Sequence, residues 1–346
     1  MDLRVTHKLV QSKIESIDFN KLWTGFIDYD FALYNQEKVV FKDKEIPVND
    51  QFVGNTAIEY EGNYLAIWQL TYDMDIDVLT SKIIHEMFHA FQKESSEKRF
   101  PNEFKNLIHY QQSLENLNIK YNEHKLLISL LDSFNQDDFR KLICYRSYRK
   151  KKFPYEYDYE TKIEVVEGMA QFVELESLKQ LNLDKHNLLL NQLEQRIVNP
   201  NLFFPIRIIS YDVGTLLAKL MIDHSLKFDH SLTSTKVYLD DYLMEYKCDD
   251  LIIEDFDEVS AAYLSEIKQV KKIVNDTINS QEPILSGHFK VLAFNVYNSR
   301  YYDGFVISQY FIMTEEKGLL YGDYVFDYDG QFAKKIYKVE GALQWN

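Results

Sequence analysis

Two histidines four residues apart restrict what this chain can fold into more than any other feature of its sequence. They are His85 and His89 in the stretch SKIIHEMFHAFQ (81–92), with Glu86 directly after the first. Apolar residues recur around them at helical spacing: Ile83, Ile84, Met87, Phe88 and Phe91. We therefore predict a helix here, with Asp77 as its N-cap. On a helix, residues i and i+4 share a face, so both imidazoles can reach one metal ion.

Glu86 completes the H-E-x-x-H pattern that is typical of catalytic zinc sites. It is rotated by about 100° around the helix from His85, so its carboxylate can reach a zinc-bound water molecule without ligating the metal. An accidental H-E-x-x-H is expected roughly 0.02 times in a chain of this composition, so we predict one Zn²⁺ ion on His85 and His89. A catalytic site needs a third ligand. The extended motif H-E-x-x-H-x-x-G-x-x-H, which supplies a third histidine, is excluded, because Gln92 occupies its glycine position and Ser95 its last histidine position.

The third ligand is expected on a second helix, and the stretch EVVEGMAQFVELE (164–176) offers carboxylates there. Residues 167–170 read E-G-M-A, and Glu174 follows seven residues after Glu167. This segment resembles the second zinc helix of the gluzincin metallopeptidases, above all the aminopeptidase N family, whose pattern is E-G-x-A-x-x-x-E. The resemblance implies that Glu167 is the third zinc ligand.

Two other glutamates of this helix have roles that the sequence leaves open. Glu164, one turn before Glu167, could ligate zinc instead or accept a hydrogen bond from a ligand histidine. Glu174 is either an ordinary helix carboxylate or a support for a ligand. The small residues Gly168 and Ala170 would let the two zinc helices approach closely.

A further match to the same family lies in SYDVGTLLAKL (210–220). Tyr211 and Gly214 fit a Y-x-x-G helix start that, in aminopeptidase N relatives, supplies a tyrosine to the developing oxyanion. The resemblance implies this catalytic role for Tyr211, where a phenol donor would stabilise charge near the transition state. A tyrosine packed in the core is the alternative, since the chain has 25 tyrosines.

The stretch GNTAIEYEGNYLAIW (54–68) resembles the edge strand and following hairpin of thermolysin relatives. The resemblance implies that residues 54–60 pair with an extended peptide or protein substrate by β-addition. In aminopeptidases this strand carries G-A-M-E-N, whose glutamate holds the free amine of the substrate. Glu59 stands one residue later here, and on a strand that shift turns it to the opposite face.

Changes in hydrophobic periodicity divide the chain into three predicted parts of an α+β protein. Residues 1–98 are expected to hold a small antiparallel or mixed sheet whose edge strand packs on the H-E-x-x-H helix, the zincin-like core that the resemblance implies. Residues 99–282 are expected to form a helical domain carrying the third ligand, and 283–346 a small antiparallel β unit. The predicted helices are 103–118, 122–132, 137–150, 160–180, 183–197, 208–225 and 257–278. The predicted strands are 38–41, 55–60, 64–70, 289–297, 304–313, 318–328 and 334–339.

The amino-acid composition restricts the expected binding partners and the expected cellular compartment. A net charge of −15 argues against nucleic acid and anionic membrane surfaces as partners. No apolar run approaches the roughly 18 residues of a membrane span. Cys144 and Cys248 form no CxxC pair, so we expect no disulfide and a reducing, cytoplasmic compartment. The basic run RSYRKKK (146–152) is expected to be a solvated helix end or loop, with an anion-binding role as the alternative.

These features together predict a zinc metallopeptidase of the gluzincin type, with Glu86 as general base toward a zinc-bound water. The first alternative is a non-catalytic protein in which zinc is structural or regulatory. The second is a regulatory or self-processing protein that acts on one dedicated partner. A helical protein with a chance motif is the third. Substrate specificity, exo- or endopeptidase action and oligomeric state stay open.

Overall fold

The structure is a computed structural model that describes residues 2–227, 229–243, 246, 248, 251–341, 343 and 345. The α-helices are α1 (Leu3–Ile14), α2 (Phe19–Leu22), α3 (Ile76–Glu94), α4 (Glu103–His109), α5 (Leu114–Asp132), α6 (Gln136–Lys152), α7 (Pro154–Leu181), α8 (Leu183–Ile197), α9 (Ile206–Asp223) and α10 (Asp257–Ser280). The strands are β1 (Phe31–Tyr34), β2 (Lys38–Phe41), β3 (Lys44–Pro47), β4 (Thr56–Tyr60), β5 (Asn63–Gln69), β6 (Leu285–Phe294), β7 (Arg300–Tyr302), β8 (Phe305–Ser308), β9 (Phe311–Thr314), β10 (Gly318–Tyr321), β11 (Tyr324–Asp327) and β12 (Phe332–Lys338). The α+β class is confirmed.

The chain forms two compact units, each assembled from three stretches of sequence. Unit 1 comprises Met1–Phe100, Lys162–Gln195 and Tyr211–Asp241, and unit 2 comprises Pro101–Thr161, Arg196–Ser210 and Tyr242–Asn346. The three predicted segments are contiguous in sequence, whereas these units interleave. The division into three segments stays a prediction.

Unit 1 contains a five-stranded mixed sheet in the order β3-β2-β1-β5-β4. Strands β1 and β5 are parallel, and the other neighbouring pairs are antiparallel. The hairpin of β4 and β5 turns at Glu61 and Gly62, both with positive φ, as a two-residue hairpin requires. This hairpin was predicted, and β4 is an edge strand. One sheet face carries the apolar cluster of Ala32, Tyr34, Val39, Phe52, Leu65 and Ile67, and α3 packs on β5 and β4.

The helix that carries the two histidines begins two residues earlier than predicted. Asp75, not Asp77, is the N-cap, since its extended backbone lets Oδ1 accept from the amides of Asp77 and Val78. Asp77 lies inside the first turn and pairs with Lys13 at 2.8 Å and Lys185 at 2.7 Å. The predicted N-cap was therefore wrong, because a second aspartate upstream makes the better cap.

Several other predicted boundaries differ from the structure for local reasons. The predicted helix 103–118 is two helices, α4 and α5, because Ser113 is extended and caps α5 through Asn116. The predicted strand 304–313 breaks at Tyr310, where φ is 71°. The predicted strand 318–328 breaks at Gly322, whose amide donates to the carbonyl of Tyr310. Helices α1 and α2 and strands β1, β3 and β7 were not predicted.

Unit 2 contains a seven-stranded sheet in the order β10-β9-β6-β12-β11-β8-β7, antiparallel throughout. An antiparallel β structure in this part of the chain was predicted. One apolar cluster of the sheet packs against side chains of α4, and another includes Val270 and Val274 of α10.

The basic run forms the end of α6, as predicted, but only part of it is solvated. Arg146 and Arg149 are buried, at 1% and 0% relative exposure, and only Lys150 to Lys152 face solvent. Arg149 donates to Glu160 and to Glu123, in the latter case at 3.2 Å. Guanidinium groups can be buried when carboxylates neutralise them, and α5 and α7 supply those carboxylates here.

Cys144 and Cys248 form a disulfide, with a Cα–Cα distance of 5.4 Å. The prediction of no disulfide was wrong, because it rested on a sequence separation that folding closes. Among the described residues, no helix has the length and apolar character needed to cross a membrane.

Candidate metal centre

Helices α3 and α7 bring two imidazoles and a carboxylate together inside unit 1. His85, His89 and Glu167 each offer one ligand atom, and these atoms lie within 4.8 Å of one another. Glu167 Oε2 is 3.0 Å from Nε2 of His89 and 3.8 Å from Nε2 of His85. Ligand atoms about 2.0–2.2 Å from one tetrahedral ion are about 3.3 Å apart, so the three atoms fit a single metal ion. Two imidazoles and a carboxylate are a ligand set of catalytic zinc sites.

Gln92 orients the second histidine and ties its helix to α7. Its side-chain amide nitrogen donates to the carbonyl of Val166 at 2.8 Å, so its Oε1 faces His89 Nδ1 at 2.7 Å. An oxygen acceptor requires a proton on Nδ1, and the neutral ring then directs the lone pair of Nε2 toward Glu167. Gln92 is fully buried, so these contacts are protected from water. Gln92, which occupies the glycine position of the extended histidine motif, therefore orients His89.

The Glu174 carboxylate lies beside Nδ1 of the first histidine. Its Oε2 lies 3.2 Å from Nδ1 of His85, and its Oε1 lies 3.3 Å from Nζ of Lys82. Burial raises the pKa of Glu174, but Lys82 and His85 outweigh it and lower this pKa to about 2. Burial likewise lowers the pKa of His85, and the carboxylates of Glu167 and Glu174 outweigh it and raise that pKa to about 10. The carboxylates therefore demand a positive charge here, which a metal ion can supply instead of a proton.

Glu86 is 8% exposed and lies on α3 between the two histidines in sequence. Burial raises its pKa, while the two histidines oppose that effect. Among the described residues, the cluster of possible ligand atoms consists of His85, His89 and Glu167 and does not include Glu86. This position outside the ligand set is the one expected for a group that acts on a proton and not on the metal.

Helix α9 crosses α7 at the two glycines of the sequence motifs. A β-carbon added to Gly168 would lie 2.6 Å from Cα of Gly214, and one added to Gly214 would lie 2.1 Å from the carbonyl oxygen of Glu164. Thr215 Oγ1 donates to Oε1 of Gln171 at 2.9 Å across the same crossing. Gly168 thus serves the approach of α9, whereas the sequence suggested that it serves the approach of the two zinc helices.

The other predicted site residues lie as follows. Glu164 is buried and does not belong to the cluster formed by the described residues, which contains Glu167. Tyr211 is 7% exposed and lies one turn before Gly214 on α9, so its proposed role stays a prediction. Glu59 is exposed on β4.

Sequence reasoning did not assign roles to three residues around the centre: Gln92, Lys82 and Lys93. The signal was present, because each lies three or four residues from a ligand histidine and so shares a face with it. Lys93 donates from Nζ to the main-chain carbonyl of Ala57 on β4. Partial burial lowers its pKa, against the opposing charges of Glu86 and Glu167.

Comparison with known proteins adds no relative to this description. No protein-family model matches the chain, no curated protein matches it, and no solved structure matches it.

Proposed function

We propose that the protein is a zinc-dependent metallopeptidase of the gluzincin type, with a zincin-like core in unit 1. The observation that carries the proposal is the meeting of His85, His89 and Glu167 from two helices, with Glu86 beside the first ligand. A purely structural zinc site is normally closed by four protein ligands, whereas three are found here among the described residues.

The surroundings of the centre support the same proposal. Helix α3 packs on a mixed sheet whose edge is β4. An extended peptide can add to such an edge through its main chain, because edge strands present unpaired N–H and C=O groups. The proposed substrate is therefore a peptide or protein bound along residues 54–60.

Different side chains would carry out the separate tasks of peptide hydrolysis. Bound zinc supplies Lewis acidity and lowers the pKa of a water molecule toward about 7. The Glu86 carboxylate takes a proton from the attacking water and passes it to the leaving amine. Gln92 and Glu174 hold His89 and His85 in the ring orientation that presents Nε2. Tyr211 would donate a hydrogen bond to the developing oxyanion.

The first prediction separates metal binding from catalysis. Glu86→Gln keeps the size and the hydrogen-bonding ability of the side chain but removes its basicity. We expect one zinc ion per chain in both forms, with peptide hydrolysis lowered by at least about 100-fold in the variant. The measurement is zinc content together with digestion of a broad peptide library, wild type beside variant.

His89→Ala is the matched variant, and it should lose both zinc and activity. A fully active Glu86→Gln protein would contradict the mechanism. One zinc ion per chain without cleavage of any peptide by the wild type would instead favour a structural or regulatory metal site.

A further inference from the structure

Lys93 is a cation beside the metal centre whose described hydrogen bond goes to a neutral group. It lies one turn after His89 on α3, is partly buried, and donates from Nζ to the carbonyl of Ala57. Within the described part of the chain, no carboxylate forms an ion pair with it at 4.0 Å or less. An ammonium group has three N–H donors, so two remain for water or a ligand.

The carbonyl that Lys93 contacts points away from the sheet. Tyr60 and Asn63 pair across a two-residue turn, and such a closing pair is hydrogen-bonded. The hydrogen-bonded pairs then alternate along the hairpin, so Ala57, paired with Ala66, is at a position whose main-chain groups face the open edge of β4. Nζ of Lys93 therefore lies at the edge along which a peptide would add.

The charges around the centre leave Lys93 able to bind an anion. The negative charges of Glu86 and Glu167 act on Lys93 electrostatically. A divalent ion at the centre balances those two carboxylates, so with the metal bound the positive charge of Lys93 is not cancelled locally. A partly buried positive charge of this kind favours an anionic ligand, because screening by water is reduced.

We propose that Lys93 is a specificity-determining residue that binds a carboxylate of the peptide substrate at the open edge of β4. This inference rests on the proposed function, since it concerns the same cleft. One helical turn separates His89 from Lys93, a rise of about 6 Å, which corresponds to about two residues of an extended peptide. The recognised carboxylate is therefore expected to lie close to the scissile bond.

Two sources can supply that carboxylate. It is either the C-terminal carboxylate of the substrate or the side chain of an aspartate or glutamate. The first source would make the protein a carboxypeptidase, and the second an endopeptidase that cuts near acidic residues. The recognition chemistry is the same in both cases, so the experiment carries one arm for each.

The test uses acetylated six-residue peptides of alanine and leucine in three forms: a C-terminal acid, the C-terminal amide, and amides with one glutamate at each position in turn. Binding is measured by calorimetry to the zinc-loaded Glu86→Gln protein, and cleavage is measured with the wild type. We expect one of the carboxylate-bearing forms to bind about 10- to 100-fold more tightly than the neutral amide. Lys93→Met should remove this preference, and Lys93→Arg should retain part of it.

Lys8→Met removes one positive charge from an exposed position on α1 and should leave the preference unchanged. Equal binding of acidic and neutral peptides, a preference that survives in Lys93→Met, or no binding of any peptide would each overturn the inference. If the wild type cleaves nothing while the carboxylate preference depends on Lys93, the peptidase proposal fails, and what stands is that Lys93 binds the carboxylate of a peptide.

Discussion

At the scale of single residues, the candidate centre depends on side chains that never touch the metal. A histidine ligates zinc through one nitrogen, and the hydrogen bond of the other nitrogen decides which one is available. Gln92 accepts from His89, and Glu174 lies at hydrogen-bonding distance from His85. Both therefore leave Nε2 for the metal, the atom that lies nearest to Glu167.

Gln92→Leu tests this positioning role. Leucine fills much of the same buried space but offers no acceptor to His89 and no donor to Val166. We expect the affinity for zinc to fall by about 10- to 100-fold, measured by competition with a chelating dye. Gln51→Leu, at an exposed position in unit 1, should leave that affinity unchanged. If Gln92→Leu lowered the melting temperature without lowering zinc affinity, Gln92 would be a packing residue only.

At the scale of secondary-structure elements, the crossing of α7 and α9 leaves no room for a side chain at either of its two glycines. Backbone meets backbone where Gly168 faces Gly214, and a β-carbon on either residue would overlap main-chain atoms of the other helix. Glu167 directly precedes Gly168, so any shift of α7 moves the third ligand. The E-G-M-A motif of α7 and the Y-x-x-G motif of α9 thus meet at one helix crossing.

Gly168→Ala and Gly214→Ala test the crossing through the sign of the change in the free energy of unfolding. Alanine favours an isolated helix by about 1 kcal/mol over glycine. At this crossing we expect destabilisation by about 1–3 kcal/mol instead, larger for Gly214 because the added carbon would come closer to backbone. Urea unfolding with and without zinc measures it. A rise in stability for either variant would contradict the crossing.

At the scale of the whole molecule, an excess of acidic residues coexists with buried cations. In unit 2, Glu160 accepts from Lys120 at 2.6 Å and from Arg149 and Tyr110. Glu160, Lys120 and Arg149 are buried, and Tyr110 is half-buried. Burial raises the pKa of Glu160, but Arg149 and Lys120 outweigh it and lower this pKa to about 2. Arg146 and Arg149 of the basic run are therefore part of the interior of unit 2, whereas its lysines are exposed.

Glu160→Gln should cost about 3–5 kcal/mol of stability near neutral pH, because it leaves two buried cations without their shared carboxylate. Because the pKa of Glu160 is lower in the folded protein than in the unfolded chain, its ionised carboxylate stabilises the fold at pH values above the unfolded pKa of about 4.5. This stabilisation is lost as the pH falls toward the folded pKa of about 2. The difference in the free energy of unfolding between wild type and Glu160→Gln should therefore decrease by about 2 kcal/mol when the pH is lowered from about 5 to about 3. Glu115→Gln, in the exposed pair with Lys152, should change stability by less than about 1 kcal/mol. A pH-independent difference for Glu160→Gln would contradict this assignment.

Features that depend on neighbours along the chain could be predicted from the amino-acid sequence alone. The i, i+4 spacing of His85 and His89 places both rings on one helix face, and Glu61-Gly62 specifies the hairpin turn. The α+β class and most helix positions followed from periodicity, because a 3.6-residue or two-residue repeat directly reflects which face is buried.

Which distant residues meet became known only from the folded chain. Three glutamates of α7 were candidates near the metal, and the packing of α7 on α3 brought Glu167 into the cluster and Glu174 to His85. The burial of Arg149, the pairing of Cys144 with Cys248 and the partner of Gly168 were decided in the same way. The physical reason is that a local pattern records whether a side chain is covered, whereas its partner is chosen by contacts between elements far apart in sequence.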